Sequence, residues 1–195
     1  MTATRSIRVL GASDAPALRQ MLGLFSDAFD DPESYLHHQP SEAYLTRLLA
    51  TDTFIAVAAF AAGQVVGGLA GYVLNKFEQE RSEFYIYDLA VAEDLRRQGI
   101  ATELINTIRH TAQQRGISII FVQADYGDEP AVALYTKLGS REDVIHYDIL
   151  PGPRRPDRLP PGCPRRAAGI EPDLRGSCLA QILGSAQLQA LDGGD

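Results

Sequence analysis

The sequence predicts an α/β (α+β) domain over residues 1–150, built on a mixed sheet with helices on both faces. Two observations predict this fold class. Short runs rich in β-branched, aromatic or other apolar residues recur along this part of the chain, and amphipathic segments separate them. In addition, residues 82–124 contain a strand, a helix and a second strand in succession, which is typical of a crossover between parallel strands.

The first half of the domain is expected to hold three strands and two helices. In chain order they are a strand at 7–10, a helix at 14–29, a helix that opens at Ser41, and strands at 53–60 and 65–74. The last two strands form a predicted hairpin around Gly63. Gly67, Gly68 and Gly71 lie inside its second strand. Glycine weakens a strand, so these residues indicate that something else approaches the strand closely.

The second half continues the alternation of strands and helices. The expected elements are a strand at 85–91, a helix from Gly99 to near Arg115, a strand at 117–124, a helix from Pro130 to Leu138, and a last strand at 144–150. Gly116 and Gly139 suit the ends of the two helices. The predicted order is therefore β-α-α-β-β-β-α-β-α-β.

Residues 151–195 form a tail of different composition. They hold seven of the 11 prolines, seven of the 17 glycines and no aromatic residue. Such a segment buries too little apolar surface to offset the entropy of ordering. The tail is expected to be disordered, with a weak helix near 177–191.

Composition excludes several classes of function. The formal net charge is −7, which argues against non-specific binding to nucleic acid and suits a cationic partner. No run approaches the roughly 18 apolar residues of a membrane span, and the N-terminus lacks a secretory pattern. We therefore expect a cytoplasmic protein. Cys163 and Cys178 both lie in the tail, and no metal-ligand spacing occurs, so neither a thiol nucleophile nor a metal site is expected.

One stretch, residues 85–102, combines an apolar strand, a short basic loop and the start of a helix. Its loop contains Arg96, Arg97 and Gly99. The first N–H groups of a helix have no internal partner and carry partial positive charge, so they bind phosphate well. The pattern also suits an ordinary connection between a strand and a helix. A basic loop in an acidic domain indicates two ligands of opposite charge.

A second motif follows this loop: Ala131-x-x-Leu134-Tyr135-x-Lys137-Leu138-Gly139. Together the two motifs resemble the GCN5-related N-acetyltransferase (GNAT) superfamily, and the order of elements over residues 5–150 agrees. The stretches HHQP at 37–40, KFEQERSEFYIYDLAV at 76–91 and FVQADYGDEPAVALYTKLG at 121–139 are similar to the aminoglycoside 3-N-acetyltransferases of type I. The chain after Leu150 matches no known part of that family.

The resemblance implies a mostly antiparallel mixed sheet whose splayed strand pair admits acetyl-CoA as the co-substrate, without a metal. The expected coenzyme-binding residues are Leu89, Ala90 and Val91 for the pantetheine, Arg96, Arg97, Gln98, Gly99, Ile100, Ala101 and Thr102 for the pyrophosphate, and Lys137. It also implies a homodimer.

Two residues are the catalytic candidates. By resemblance, Tyr135 protonates the leaving thiolate; alternatively it is a buried tyrosine that packs on the sheet. Asp88 is expected to accept the proton of the attacking amine, because a carboxylate inside a strand is otherwise disfavoured. Its alternative is a structural carboxylate paired with backbone or arginine. Glu83 is the other candidate base, expected on the face opposite Asp88 and alongside Tyr87.

A set of acidic and aromatic residues is expected to bind the acceptor. It comprises Glu83, Tyr87, Asp125, Asp128, Glu129 and Asp148. Several carboxylates suit a substrate with several ammonium groups. For Asp128 a helix-capping role is an equal alternative, and for His37 and His38 a surface role is favoured over catalysis.

The sequence therefore predicts acetyl-CoA-dependent acetylation of an aminoglycoside at the 3-amino group of its 2-deoxystreptamine ring, with antibiotic resistance as the outcome. The rival predictions are acetylation of a polyamine or a protein amine, and an acyl-CoA-binding module without activity.

Overall fold

A computed structural model describes residues 5–125, 127–147 and 149. The described residues fall into two compact units, one that ends at Val122 and one that begins at Gln123. The expected tail at 151–195 lies outside the described residues. Within those residues, no helix is both long and apolar enough to cross a membrane.

The first unit contains five strands and three helices among its described residues. The strands are β1 (Arg5–Val9), β2 (Phe54–Ala61), β3 (Gln64–Asn75), β4 (Ser82–Val91) and β5 (Ile117–Val122), and the helices are α1 (Ala15–Phe29), α2 (Glu42–Leu49) and α3 (Ile100–Gln114). Ser41 caps α2 as expected, because its hydroxyl accepts the N–H of Tyr44 at 3.2 Å. The second unit contains α4 (Glu129–Leu138). These elements confirm the predicted order up to α4.

The five strands form one sheet in the order β1-β2-β3-β4-β5. The first three pairings are antiparallel, whereas β4 and β5 are parallel and α3 connects them. This confirms the mixed, mostly antiparallel sheet. β4 pairs with β5 only from Ser82 to Ile86, although β4 continues to Val91. Because β5 ends at Val122, which pairs with Ile86, the described part of β4 from Tyr87 to Val91 has no β5 residue beside it.

The helices cover both faces of the sheet, and two glycines of β3 make this possible. A Cβ built on Gly67 would lie 2.9 Å from Cγ2 of Ile100 in α3, and one built on Gly68 would lie 2.8 Å from Cε of Met21 in α1. Neighbouring residues of a strand point to opposite faces. Each helix therefore packs directly on a glycine, and the close approach predicted from the sequence is confirmed.

An irregularity in the pairing of β3 with β4 shapes the middle of the sheet. Ala70 pairs with Asp88 and Gly71 pairs with Ile86, so Tyr87 is an extra residue and β4 forms a β-bulge. Gly71 is required beside it, because a Cβ there would lie 2.2 Å from the carbonyl oxygen of Tyr85.

The strand expected at 144–150 is a wrong prediction for the residues that the structure describes. Residues 141–147 have no regular secondary structure. Val144, Ile145 and Tyr147 are 50%, 75% and 75% exposed. Alternating apolar residues form a strand only where a neighbouring strand accepts their backbone hydrogen bonds, and the described residues of this segment pair with none.

Replacing Gly71 with alanine should destabilise the fold by about 1–3 kcal/mol, because the new Cβ forces either the bulge or the ring of Phe84 to move. Urea unfolding followed by circular dichroism measures the change. Gly23 in α1 is the matched control, since a Cβ there meets nothing within 4 Å. Gly23→Ala should be neutral or stabilising by up to about 1 kcal/mol. Equal effects of the two substitutions would contradict the close contact at the bulge.

Candidate active site

Asp88 lies at the β-bulge and is partly buried. Its Oδ1 accepts a hydrogen bond from the hydroxyl of Tyr35 at 2.8 Å. Burial raises the pKa of Asp88 to about 6, and the hydrogen bond from Tyr35 opposes that rise. A carboxylate with this pKa is ionised at neutral pH but takes up a proton more readily than an ordinary aspartate, which is what a general base requires.

Among the residues that the structure describes, Asp88 is the one charged residue lining a cavity of about 220 Å³ between the sheet and helices α1 and α2. The other lining residues are apolar or aromatic: Leu18, Leu22, Phe25, Pro40, Tyr44, Leu45, Leu48, Phe54, Ala70, Tyr72 and Tyr87. The rings of Tyr72 and Tyr87 meet edge to face at 5.7 Å. Aromatic walls with a single carboxylate suit a ligand that presents one ammonium group on a larger body.

Because of the bulge, the arrangement of Asp88 and Tyr87 differs from the one predicted from the sequence. Simple alternation would put them on opposite faces of the sheet, yet both line the same cavity. The reason is the extra residue at Tyr87, which reverses the alternation from that point onward. Sequence periodicity alone could not reveal this, because a bulge has no fixed pattern of residue types.

Glu83, the other candidate base, lies in an ion-pair cluster. Its Oε1 accepts a hydrogen bond from Arg81 at 2.8 Å, and its Oε2 lies 3.7 Å from Nζ of Lys76. Both carboxylate oxygens thus face a cation, and the side chain is 17% exposed. The Glu83 carboxylate is therefore engaged in ion pairs with Arg81 and Lys76 and lies in a different environment from Asp88.

The loop between β4 and α3 presents backbone groups outward. Arg97 and Gly99 both have left-handed backbone angles, with φ of 62° and 83°. No side chain caps the N-terminus of α3 at Gly99. Arg96, Arg97, Gln98 and Gly99 are exposed, and Nε of Arg96 donates to the carbonyl of Val91 at 3.1 Å. The loop therefore offers two cations and the first N–H groups of α3, which fits a pyrophosphate.

The edge of β4 beyond Ile86 fits the remainder of a coenzyme. Leu89, Ala90 and Val91 pair with β3 on one side, while the register with β5 stops before them. An extended amide chain could hydrogen-bond along such an edge, as an added strand does. Of the other expected coenzyme residues, Ile100 is buried, and Ala101 and Thr102 are partly buried in the first turn of α3.

The second unit carries the other expected site residues. Oδ1 of Asp128 accepts the N–H of Ala131 at 3.1 Å and caps α4, which is the structural role considered for it. Asp125 is partly buried, and burial together with the charge of Asp128 raises its pKa. Burial, followed by the charge of Asp128, raises the pKa of Tyr135 to about 12. Glu129 and Lys137 are exposed. Asp148 lies outside the described residues.

The sequence reasoning missed Tyr35. This residue lies in a π-helical turn, Glu33–His37, between α1 and α2. Nothing in the local pattern connects it to Asp88, which is 53 positions further on. In the same turn Nδ1 of His37 bonds Glu33, while His38 is exposed. No cluster of metal-ligand residues occurs among the residues with described positions.

Comparison with known proteins shows that aminoglycoside acetyltransferases and a ribosomal-protein alanine N-acetyltransferase are among those similar to this chain. An aminoglycoside acetyltransferase from an uncultured soil metagenomic sample is 50% identical, with a TM-score of 0.73 over 75% of this chain and 98% of its own. Another from such a sample, in complex with sisomicin, is 31% identical with a TM-score of 0.70 over 75% and 95%. The [ribosomal protein bS18]-alanine N-acetyltransferase of Salmonella typhimurium is 27% identical over 146 residues, 75% of this chain and 87% of its own.

The sequence profile of the acetyltransferase (GNAT) family matches residues 18–140, which is more than half of the chain. This match covers the cavity, the β-bulge, the basic loop and α4. The mixed five-stranded sheet flanked by helices is the fold of that family. The chain belongs to the GNAT acetyltransferase family.

Proposed function

We propose that this protein transfers the acetyl group of acetyl-CoA to an aminoglycoside, at the 3-amino group of the 2-deoxystreptamine ring. The observation that carries the proposal is the position of Asp88, a carboxylate with a raised pKa in an aromatic cavity beside the free edge of β4. The 50% identity to an aminoglycoside acetyltransferase supports the acceptor class. The choice of the 3-amino group rests on the resemblance of residues 37–40, 76–91 and 121–139 to the type I enzymes.

Asp88 has two tasks in this proposal. Aminoglycoside amines are largely protonated at neutral pH, so the ionised carboxylate first attracts an ammonium group into the cavity. It then accepts a proton, the neutral amine attacks the carbonyl of the thioester, and the nitrogen loses its second proton to solvent as the C–S bond breaks. Glu83 is not assigned this role, because Arg81 and Lys76 hold its carboxylate.

Acetyl-CoA supplies the activated acetyl group as a thioester. The backbone of Leu89, Ala90 and Val91 is proposed to bind the pantetheine, and the loop from Arg96 to Thr102 the pyrophosphate, with Lys137 nearby. The exposed guanidinium groups and the uncapped start of α3 support this assignment. Direct transfer is proposed because residues 1–150 contain no cysteine to carry an acyl group.

Tyr135 is proposed as the acid that protonates the departing thiolate. Its pKa, raised to about 12, keeps the phenol protonated until the thiolate forms, although it also makes Tyr135 a weaker acid than an ordinary tyrosine. Asp125, Glu129 and Asp148 are proposed to bind further ammonium groups of the acceptor, with Asp128 contributing charge while it caps α4.

Acetylation removes one positive charge from the drug and weakens its attraction to RNA, which would produce resistance. The cytoplasmic location and the homodimer remain predictions. Acetylation of a protein N-terminus is the second candidate, and the 27% identity to a ribosomal-protein alanine acetyltransferase favours it over other acceptors.

A thiol-release assay with acetyl-CoA separates these candidates. We expect release of coenzyme A with gentamicin and kanamycin, and little with spermidine or a peptide that begins with alanine. NMR of the acetylated product should place the new amide at position 3. Turnover of the peptide alone would replace the proposed acceptor, and acetylation elsewhere on the aminoglycoside would correct only the position.

Asp88→Asn should lower turnover about 100- to 10,000-fold, the usual contribution of a general base. In the unmodified protein kcat/KM should fall as the pH drops below about 6, since Asp88 is then protonated. Titration calorimetry with coenzyme A is the control, because its proposed site does not include Asp88. Unchanged turnover with intact coenzyme binding would assign the base to another residue.

The same substitution should stabilise the protein at pH 8. The folded-state pKa of Asp88 is raised from 3.8 to about 6, so folding becomes less favourable as the pH rises through that interval. Asparagine removes the cost of burying a charge, and the gain should be about 1–3 kcal/mol, at about 1.4 kcal/mol per pKa unit. Urea unfolding at pH 8 and pH 4 measures it. The difference should vanish towards pH 4; a constant difference would show that charge burial is not its cause.

A further inference from the structure

Tyr35 is the residue that reaches Asp88 from outside the sheet. Its hydroxyl donates to Oδ1 of Asp88 at 2.8 Å, across 53 positions of sequence. The ring packs against Phe25 and Phe29, with ring centres 5.9 and 5.8 Å away. It is therefore held by α1 while its polar end contacts the β-bulge.

The turn that carries Tyr35 is itself fixed by a buried carboxylate. Asp31 is 4% exposed, and its Oδ1 accepts the backbone N–H of Ser34 at 3.0 Å. The carbonyl of Tyr35 accepts a hydrogen bond from Nε2 of Gln39 at 3.3 Å. These contacts restrict both ends of the turn, so the hydroxyl of Tyr35 has a defined position.

We propose that Tyr35 is a positioning residue for the reaction: its hydroxyl holds Oδ1 of Asp88 and leaves Oδ2 for the proton of the acceptor amine. This inference rests on the proposed function of Asp88 as the base. Tyr35 keeps its own proton throughout, because burial and then the charge of Asp88 raise its pKa well above the ordinary value. It therefore acts as a fixed donor and takes no part in proton transfer.

The hydrogen bond also adjusts the charge state of the base. The titratable groups that face Asp88 or influence it are Tyr35, Tyr44, Tyr72, Tyr85, Tyr87 and, beyond Tyr35, Asp31. In the described part of the chain, none of the groups that shift the pKa of Asp88 is a cation. Burial raises that pKa and the donor Tyr35 lowers it. Tyr35 thus keeps Asp88 ionised down to a lower pH than burial alone would allow.

The test is Tyr35→Phe, which removes the hydroxyl and keeps the ring. The acidic limb of kcat/KM with an accepted aminoglycoside should move up by about one to two pH units, the worth of a hydrogen bond to a charged group. The rate at pH 6 should fall about 5- to 50-fold, whereas the rate at pH 8.5 should stay within about threefold.

Phe29→Leu is the matched control, because it loosens the ring packing of Tyr35 without removing the hydrogen bond. Phe29→Leu should lower kcat/KM by the same factor at every pH. In an Asp88→Asn background, Tyr35→Phe should leave the pH profile unmoved, since the two residues act as a pair. If Tyr35→Phe lowers kcat/KM equally at all pH values, as the control does, the positioning role is overturned.

A second readout needs no substrate. The Tyr35→Phe protein should lose more thermal stability at pH 8, where Asp88 is ionised, than at pH 4, where it is protonated. The Phe29→Leu protein should lose the same amount of thermal stability at pH 8 as at pH 4. If no aminoglycoside is acetylated but this pH-dependent loss occurs, the proposed function fails while the coupling of Tyr35 to Asp88 stands. A pH-independent loss overturns the coupling.

Discussion

The β-bulge in β4 is the constraint on which the site depends. One additional residue, Tyr87, reverses the alternation of side chains in the rest of the strand. As a result, Asp88 lies in the cavity under α1 and α2 instead of on the opposite face of the sheet. The bulge requires Gly71 on the neighbouring strand, because any side chain there would collide with the backbone of Tyr85. The same part of β4 leaves its pairing with β5. A single irregularity therefore directs the proposed base and adjoins the end of β4 where we propose that the coenzyme binds.

Placing a carboxylate in this cavity opposes stability. Removing Asp88 from water disfavours its ionised form, which raises its pKa. Among the described residues, the hydroxyl of Tyr35 is the one group that offsets part of that cost. A structural carboxylate would be paired with a cation, as Glu83 is with Arg81 and Lys76. The two acidic residues of β4 thus have contrasting environments: Glu83 contributes to the fold, whereas Asp88 retains the capacity to take a proton. Such a contrast is typical of active sites.

Most of the fold could be predicted from periodicity, since the helices and the five strands of the first unit occur where apolar spacing indicates them. The predictions failed where a partner outside the segment decides the outcome. The alternating residues 144–147 form no strand. The face of the sheet on which Asp88 lies depends on how β4 pairs with Ala70 and Gly71 of β3. The glycines within β3 did predict close packing. Glycine destabilises a strand, so its presence there indicates a position where a side chain would not fit. The expected roles of the coenzyme-binding and acceptor-binding residues stay predictions.

Tyr35 shows why part of a site escapes sequence reasoning. Its contact with Asp88 arises from the path of the turn after α1, and that path is set by Asp31, Gln39 and the ring packing of α1. None of these residues carries a motif. The contact nevertheless explains how the fold can keep a carboxylate without a cation partner in an aromatic cavity. Tyr35 is a neutral donor, so it stabilises the carboxylate and still leaves it able to accept the proton of the proposed reaction. A lysine or arginine in place of Tyr35 would hold Asp88 as firmly but would lower its basicity and compete with the ammonium group of the acceptor.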